Sequence, residues 1–406
     1  MNHGHTPVER SARYKRNAMI VVVVIVGVAA LQFAAGLQTS ADQAAAPSSF
    51  TVGGALYQGN ASCTGSKCHS ADEPVEQSGQ MIGDESNIWA DSDPHSHAYE
   101  SLDNPLSAEM AAKLKLDSTA TSSRCLDCHA INAPKPQRGE GFSLADAVGC
   151  ESCHGPAEKH LNPHADAGWT AKQRKALGSS GLLKQLALLD TADLSVRATG
   201  CVKCHLQIDK DMIDAGHPPL EFELHAYNYY VSKKPDTRFT THWDEPVGKM
   251  IDARLWIAGQ LAGKEAAAAQ QRTWKARGWG GDDAGFLSKI YDKGAALAAK
   301  HFAVNSLKDV AGAKITAASA AAAAKDLARL AGEIDKTAPQ MFAPASRRIL
   351  AMGVTALGSA VFDADAAGDG PPDAFWEAYD TANSASGEAY VAAVTKMADL
   401  AADAAK

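Results

Sequence analysis

The sequence predicts a mainly α-helical protein built of two unlike parts, and three observations predict it. All eight cysteines fall in four short strings between residues 63 and 205, and every string ends in His. From about residue 247 the chain has no Cys, is rich in Ala, and places its apolar residues at helical spacing. A single long uncharged apolar run stands near the start. The first pattern predicts a core with little regular structure besides helices, the second an Ala-rich antiparallel helical bundle, and the third a single transmembrane helix.

A chain of 406 residues is long enough for two or three domains, and 46% hydrophobic with 21% charged residues excludes wholesale disorder. The net charge of −8 argues against a nucleic-acid binder, which would carry a basic surface. Residues 1–17 hold Arg10, Arg13, Lys15 and Arg16 and read as a cytoplasmic tail. Residues 18–37 are apolar and uncharged, about the twenty needed to span a bilayer as a helix. The basic flank stays inside, so everything downstream is expected on the periplasmic side of a bacterial inner membrane. A signal peptide cleaved in the Ala-rich stretch at 41–46 competes, but the run is longer than a usual signal core. Residues 38–54 form a polar tether.

The strings themselves are Cys63 and Cys68 with His69, Cys125 and Cys128 with His129, Cys150 and Cys153 with His154, and Cys201 and Cys204 with His205. Three read C-x-x-C-H, the pattern of covalent c-type haem attachment, and the first is a C-x-x-x-x-C-H variant with a larger loop. Two thiols must reach the two vinyl groups on one porphyrin edge while the adjacent His turns under the ring to bind iron. Zinc knuckles need two Cys pairs per metal and no His fixed behind each pair. Disulfides within C-x-x-C would be strained and reducible. Four haems, held by eight thioethers with His69, His129, His154 and His205 as proximal ligands, account for every cysteine. Only twenty residues separate His129 from Cys150, so the second and third haems are expected close together. With so little protein per cofactor, residues 50–245 are expected not to fold without haem.

A second axial His saturates a haem for outer-sphere electron transfer, and an open sixth position admits a small molecule. Beyond the motifs and the cytoplasmic His3 and His5, eight histidines remain for four places. His97 heads a helix in DSDPHSHAYESL, and His95 two residues earlier cannot share its direction. His160 follows His154 by six residues, His217 is held by Pro218 and Pro219, and His242 lies in THWDEP. These four, His97, His160, His217 and His242, are the distal candidates, ahead of His95, His164, His225 and His301.

The Ser-His-Ala stretch at His97, then CLDCHA, VGCESCHGPAEKH and CVKCH, resemble the tetrahaem cytochrome c-554 family over roughly residues 55–245. AGHPPLEFEL with the following THW resembles a stretch of related multihaem cytochromes. The resemblance implies an electron carrier, in that family one that accepts from hydroxylamine oxidation. It also implies mostly bis-His haems in closely stacked pairs, one of which can be high-spin. Carried over, it makes His97, His160 and His217 distal ligands. The enlarged first loop, the anchor and a haem-free C-terminal extension depart from the family, so its physiological donor does not transfer.

Residues 246–406 read as four or five helices. Leu350, Val354, Leu357 and Val361 fall on one stripe, as do Leu327, Leu330 and Ile334, and Met250, Ile251, Leu255 and Ala258. Gly-rich and Pro-containing breaks separate them, and Asp373 is expected to cap a final helix to the C-terminus. The sequence therefore predicts an anchored periplasmic tetrahaem electron carrier rather than an enzyme, working with redox partner proteins of the periplasm or inner membrane. A subunit of a larger respiratory or photosynthetic complex, and a reductase of a small nitrogen compound using one five-coordinate haem, are the alternatives.

Overall fold

The computed structural model describes residues 54–66, 68–70, 75–77, 80–166, 169, 171–230, 250–278, 285–364 and 370–406. The expected cytoplasmic tail, membrane span and nearly all of the tether lie outside these residues, as does His242. No described helix is long and apolar enough to cross a membrane.

The fold is mainly helical. The only sheet among the described residues is a two-stranded antiparallel hairpin, β1 (Val75–Gln77) with β2 (Gln80–Ile82). Eight helices of at most 16 residues follow: α1 Glu85–Ser92, α2 Pro105–Leu114, α3 Ser123–His129, α4 Cys150–His154, α5 Ala171–Leu186, α6 Leu194–His205, α7 Lys210–Ala215 and α8 Leu224–Tyr230. Three of the four motifs thus occupy the ends of α3, α4 and α6, each of which stops at its own His. A helical turn sets both thiols and the imidazole of a C-x-x-C-H string on neighbouring faces. After His154 the chain must turn sharply: Gly155 has φ +82°, and a Cβ there would run into the carbonyl of Ala187.

Among its described residues the C-terminal part holds six helices: α9 Ile251–Ala276, α10 Phe286–Phe302, α11 Ala317–Thr337, α12 Ala343–Phe362, α13 Asp373–Ser384 and α14 Gly387–Ala404. The sequence led to four or five. The extra one arises where a single final helix was expected. The chain breaks at Ala385 and Ser386, both extended, before restarting at Gly387. Asp373 is the first residue of α13 and not its cap, Pro372 standing in that place. The stripe Leu350, Val354, Leu357 and Val361 is buried throughout. The seams are Ala-rich, with Ala320, Ala321, Ala323 and Ala324 all inside, so α11 packs closely on α12 and α14. Thr316 and Ser319 form a reciprocal capping box that starts α11.

One large hydrophobic cluster runs from Ala198 in α6 through Phe222 and Leu224 to Ala398 in α14. It crosses the boundary expected at residues 245 and 246, because α6 and α8 pack on α9. The region of the first three motifs has only small clusters, around Tyr57 and Ile131 and around Leu102 and Leu126.

Candidate functional site

The site is assembled by polar contacts from distant parts of the chain. The buried Glu151, between Cys150 and Cys153, accepts backbone N–H groups of Gln58 and Gly59 at 2.8 Å and of Ala157 at 2.6 Å. Asn60 Oδ1 accepts the Cys150 N–H at 3.0 Å. These bonds lay the strand-like segment before Cys63 against the third motif. Burial raises the pKa of Glu151, and the three N–H donors work against that rise.

None of the eight cysteines is joined to another in a disulfide. Cys63 and Cys150 stand close enough to perturb each other, Cys63 being lowered to about 7 and Cys150 raised. The Cys204 thiol donates to the Asp127 carbonyl at 3.7 Å, which sets it beside Cys128; the proximity lowers Cys128 and pushes Cys204 up. Motif one therefore touches motif three, and motif two touches motif four. Burial, and then the neighbouring Cys201, raise Cys153, and that proximity joins motif three to motif four. The second and third motifs, nearest in sequence, are linked here through the fourth. A cavity of about 900 Å³ is lined by Cys63, Cys68 and His69, by Cys150, Cys153 and His154, and by Cys201, Cys204 and His205.

Three motif histidines face a second imidazole. His69 and His164 have ring centres 6.1 Å apart and planes 7° from parallel. His205 and His95 are also 6.1 Å apart, and His129 and His217 are 6.4 Å apart, with planes 85° and 78° from parallel. Two imidazoles binding one first-row metal ion from opposite sides, each nitrogen about 2.0–2.1 Å from it, have ring centres about 6.3 Å apart. The residues thus fit an iron between each pair. The outer nitrogens are occupied: His69 Nδ1 meets Glu85 at 3.0 Å, His95 Nδ1 meets Asp93 at 2.9 Å, and His164 Nδ1 meets the His160 carbonyl at 2.7 Å. His129 Nδ1 meets the Ala98 carbonyl at 2.8 Å and His217 Nδ1 the Pro218 carbonyl at 2.9 Å. Such contacts fix the tautomer and leave Nε2 as the metal-facing atom. Burial, with His95 nearby, depresses His205 to about 4, and burial lowers His129, so both are neutral, the form that binds metal.

The distal set differs from the expected one at two positions. His97 points outward with its side chain 67% exposed, bonded to Glu100 at 3.1 Å. Its neighbour His95 points inward, drawn by Asp93, which caps the turn Pro94–His97 and bonds both the His95 backbone and ring. The two do diverge, as a separation of two residues demands, but His95 is the inward one. His160 is buried, with Nδ1 toward the Leu186 carbonyl at 3.3 Å, and it holds His164 by that residue's backbone and ring rather than facing His69. The signal for His164 was its i, i+4 spacing from His160 across Pro163. His217 stands opposite the motif histidine His129. His154 lines the shared cavity with His160. His225 and His301 stand apart in the bundle, paired with Asp252 and Asp326. Among the described residues no three His, Cys, Asp or Glu side chains converge on a common metal position.

Comparison with known proteins gives the same direction. The family model for cytochrome c554 and c-prime matches residues 62–155. Cytochrome c-554 of Nitrosomonas europaea is 29% identical over 127 residues, covering 28% of this chain and 44% of that protein. The match thus spans less than half of that relative. No solved structure matches. Residues 62–155, which carry three of the four motifs, are thus similar to the cytochrome c-554 family, and that family implies covalently bound c-type haem.

Proposed function

We propose that the chain is a tetrahaem c-type cytochrome that relays single electrons between respiratory partner proteins on the periplasmic side of a bacterial inner membrane, anchored by residues 18–37. The observation that carries this is the spacing of the three imidazole pairs, 6.1, 6.1 and 6.4 Å. When bound, c-type haem supplies reversible one-electron chemistry at iron with both axial places filled. The eight thiols tether the groups. His69, His129, His154 and His205 are the proximal ligands, and His164, His217 and His95 face the first, second and fourth of them.

The thiol contacts set an order of neighbours, one to three to four to two, and electrons follow it. The Nδ1 partners grade the sites. Glu85 and Asp93 put a carboxylate behind an imidazole at motifs one and four, whereas both Nδ1 groups at motif two face backbone carbonyls. A carboxylate makes the imidazole a stronger donor and favours the oxidised metal, so motif two has the highest potential of these three.

The test is a haem count on purified full-length protein, followed by carbon monoxide addition to the dithionite-reduced form. Four haems per chain, with at least three insensitive to carbon monoxide, is the expected result. Fewer than four covalent haems, or carbon monoxide binding at two or more, would overturn the reading. A reductase would instead show carbon monoxide binding together with turnover of a small nitrogen substrate.

A further inference from the structure

We propose that Glu223, His225, Asp252 and Asp363 form a proton-binding site coupled to the electron state of the centre held by His205. The proposal rests on the haem reading above and adds a function to residues the relay does not use.

These side chains come from three elements: Glu223 and His225 from the start of α8, Asp252 from the first turn of α9, and Asp363 from the end of α12. His225 Nε2 lies 3.3 Å from Asp252 Oδ1, and the two side chains are 5% and 4% exposed. Glu223 is fully buried and accepts the backbone N–H groups of His225 at 3.2 Å and Ala226 at 2.7 Å. Among the described residues no Lys or Arg pairs with any of the three carboxylates.

Two features point to a bound proton. Asp252 Oδ2 is buried and meets no donor, while the Asp363 carboxyl stands against Asp252. Two carboxyls can hydrogen-bond only when one of them is protonated. A single imidazolium cannot balance two buried carboxylates and a half-buried third, and full ionisation would leave two uncompensated charges in the cluster. The titration behaviour agrees. Burial, then the Asp252 charge and its hydrogen bond, raise Asp363 to about 6. Burial opposes a charge on His225, but Asp252, Glu223 and Asp363 outweigh it and raise its pKa. Burial raises Glu223. Asp363 is only half-buried, which gives the cluster its door to solvent.

The link to the centre is the segment that carries the cluster. Its Tyr227 ring lies 4.7 Å from the His205 ring and its Phe222 ring 6.2 Å, and the Tyr227 hydroxyl donates to the Glu221 carbonyl of the same segment. Glu223 and His225, on the same segment, turn the other way, toward Asp252 in the bundle. An electron delivered beside His205 adds one negative charge across this low-dielectric wall and raises the proton affinity of the cluster. The balance is one electron from a one-electron donor to the centre and one proton from solvent, through Asp363, onto the Asp252–Asp363 pair. No covalent bond in the chain breaks, and reoxidation releases both. By reciprocity the bound proton raises the potential.

The experiment is a spectroelectrochemical titration of the holoprotein between pH 5 and 8, with its haem content counted first. The midpoint potential of one component falls as pH rises through about 6, by up to ~59 mV for each tenfold drop in proton concentration. D363N and H225Q, each with full haem content, lose that slope. A redox-difference infrared spectrum of the unaltered chain shows a protonated-carboxyl band that D363N lacks. Loss of covalent haem from the unaltered chain would overturn the relay and this site together. Full haem with potentials indifferent to pH, or a slope that survives in both variants, would overturn this site alone.

Discussion

At the scale of single residues, the two histidines of PHSH separate sharply. Asp93 pulls His95 inward opposite His205, and His97 faces solvent beside Glu100. H95A should therefore open one haem to carbon monoxide, about one in four of the Soret intensity, while H97A should leave the spectrum unchanged. The reverse pattern would undo the assignment of the pair. The carboxylate behind His69 gives a second prediction. E85Q keeps a hydrogen-bonding side chain behind Nδ1 but removes the charge, so the potential of that centre should rise, and a redox titration showing no shift or a fall would refute the grading. The motifs were fully legible in the sequence because attachment chemistry is local, a few residues wide. The facing histidines were less so. Their direction depends on a cap at Asp93 and a turn at Pro163, and neither is visible in a search for His alone.

At the scale of elements, the bundle depends on close approaches that Gly permits. Gly263 sits in the middle of α9, where Gly costs a helix about 1 kcal/mol relative to Ala. G263A would stabilise an isolated helix, yet here the new Cβ would lie only 2.4 Å from the nearest ring carbon of Tyr291 from α10. Tyr291 is fully buried and its hydroxyl donates to the Phe222 carbonyl at 2.8 Å, so the ring cannot simply swing aside. G263A should thus destabilise the protein by about 1–3 kcal/mol, the usual cost of overpacking, and chemical denaturation will read it. Unchanged or increased stability would mean that α9 and α10 are not packed this way. Helical periodicity made α11 and α12 readable in advance, since their apolar stripes are long. The division of the last stretch into α13 and α14 was not, because Ala385, Ser386 and Gly387 are unremarkable in a chain so rich in small residues.

At the scale of the molecule, the line between the two parts does not fall where composition changes. The His and Cys content drops near residue 247, but the main hydrophobic cluster begins at Ala198 and includes Val202, Leu206, Phe222 and Leu224. Composition records which residues bind a cofactor, whereas the packing boundary records which residues bury apolar surface against α9. The consequence concerns the haem-free chain. Residues 54–186 have small clusters and an open cavity, so their stability rests on the bound groups. Residues 194–406 have a continuous core of their own that needs none. Chain made where haem is not attached should therefore show amide protection through α9 to α14 and in the parts of α6 and α8 that pack on α9. Residues 54–186 should exchange at rates near those of an unfolded chain. The sequence alone put that line near residue 245, and the packing moves it to about residue 190. Hydrogen exchange resolved by peptide distinguishes them at residues 194–228. Protection there in the haem-free chain supports one shared core, and fast exchange there would mean that α6 and α8 depend on haem despite their contact with the bundle.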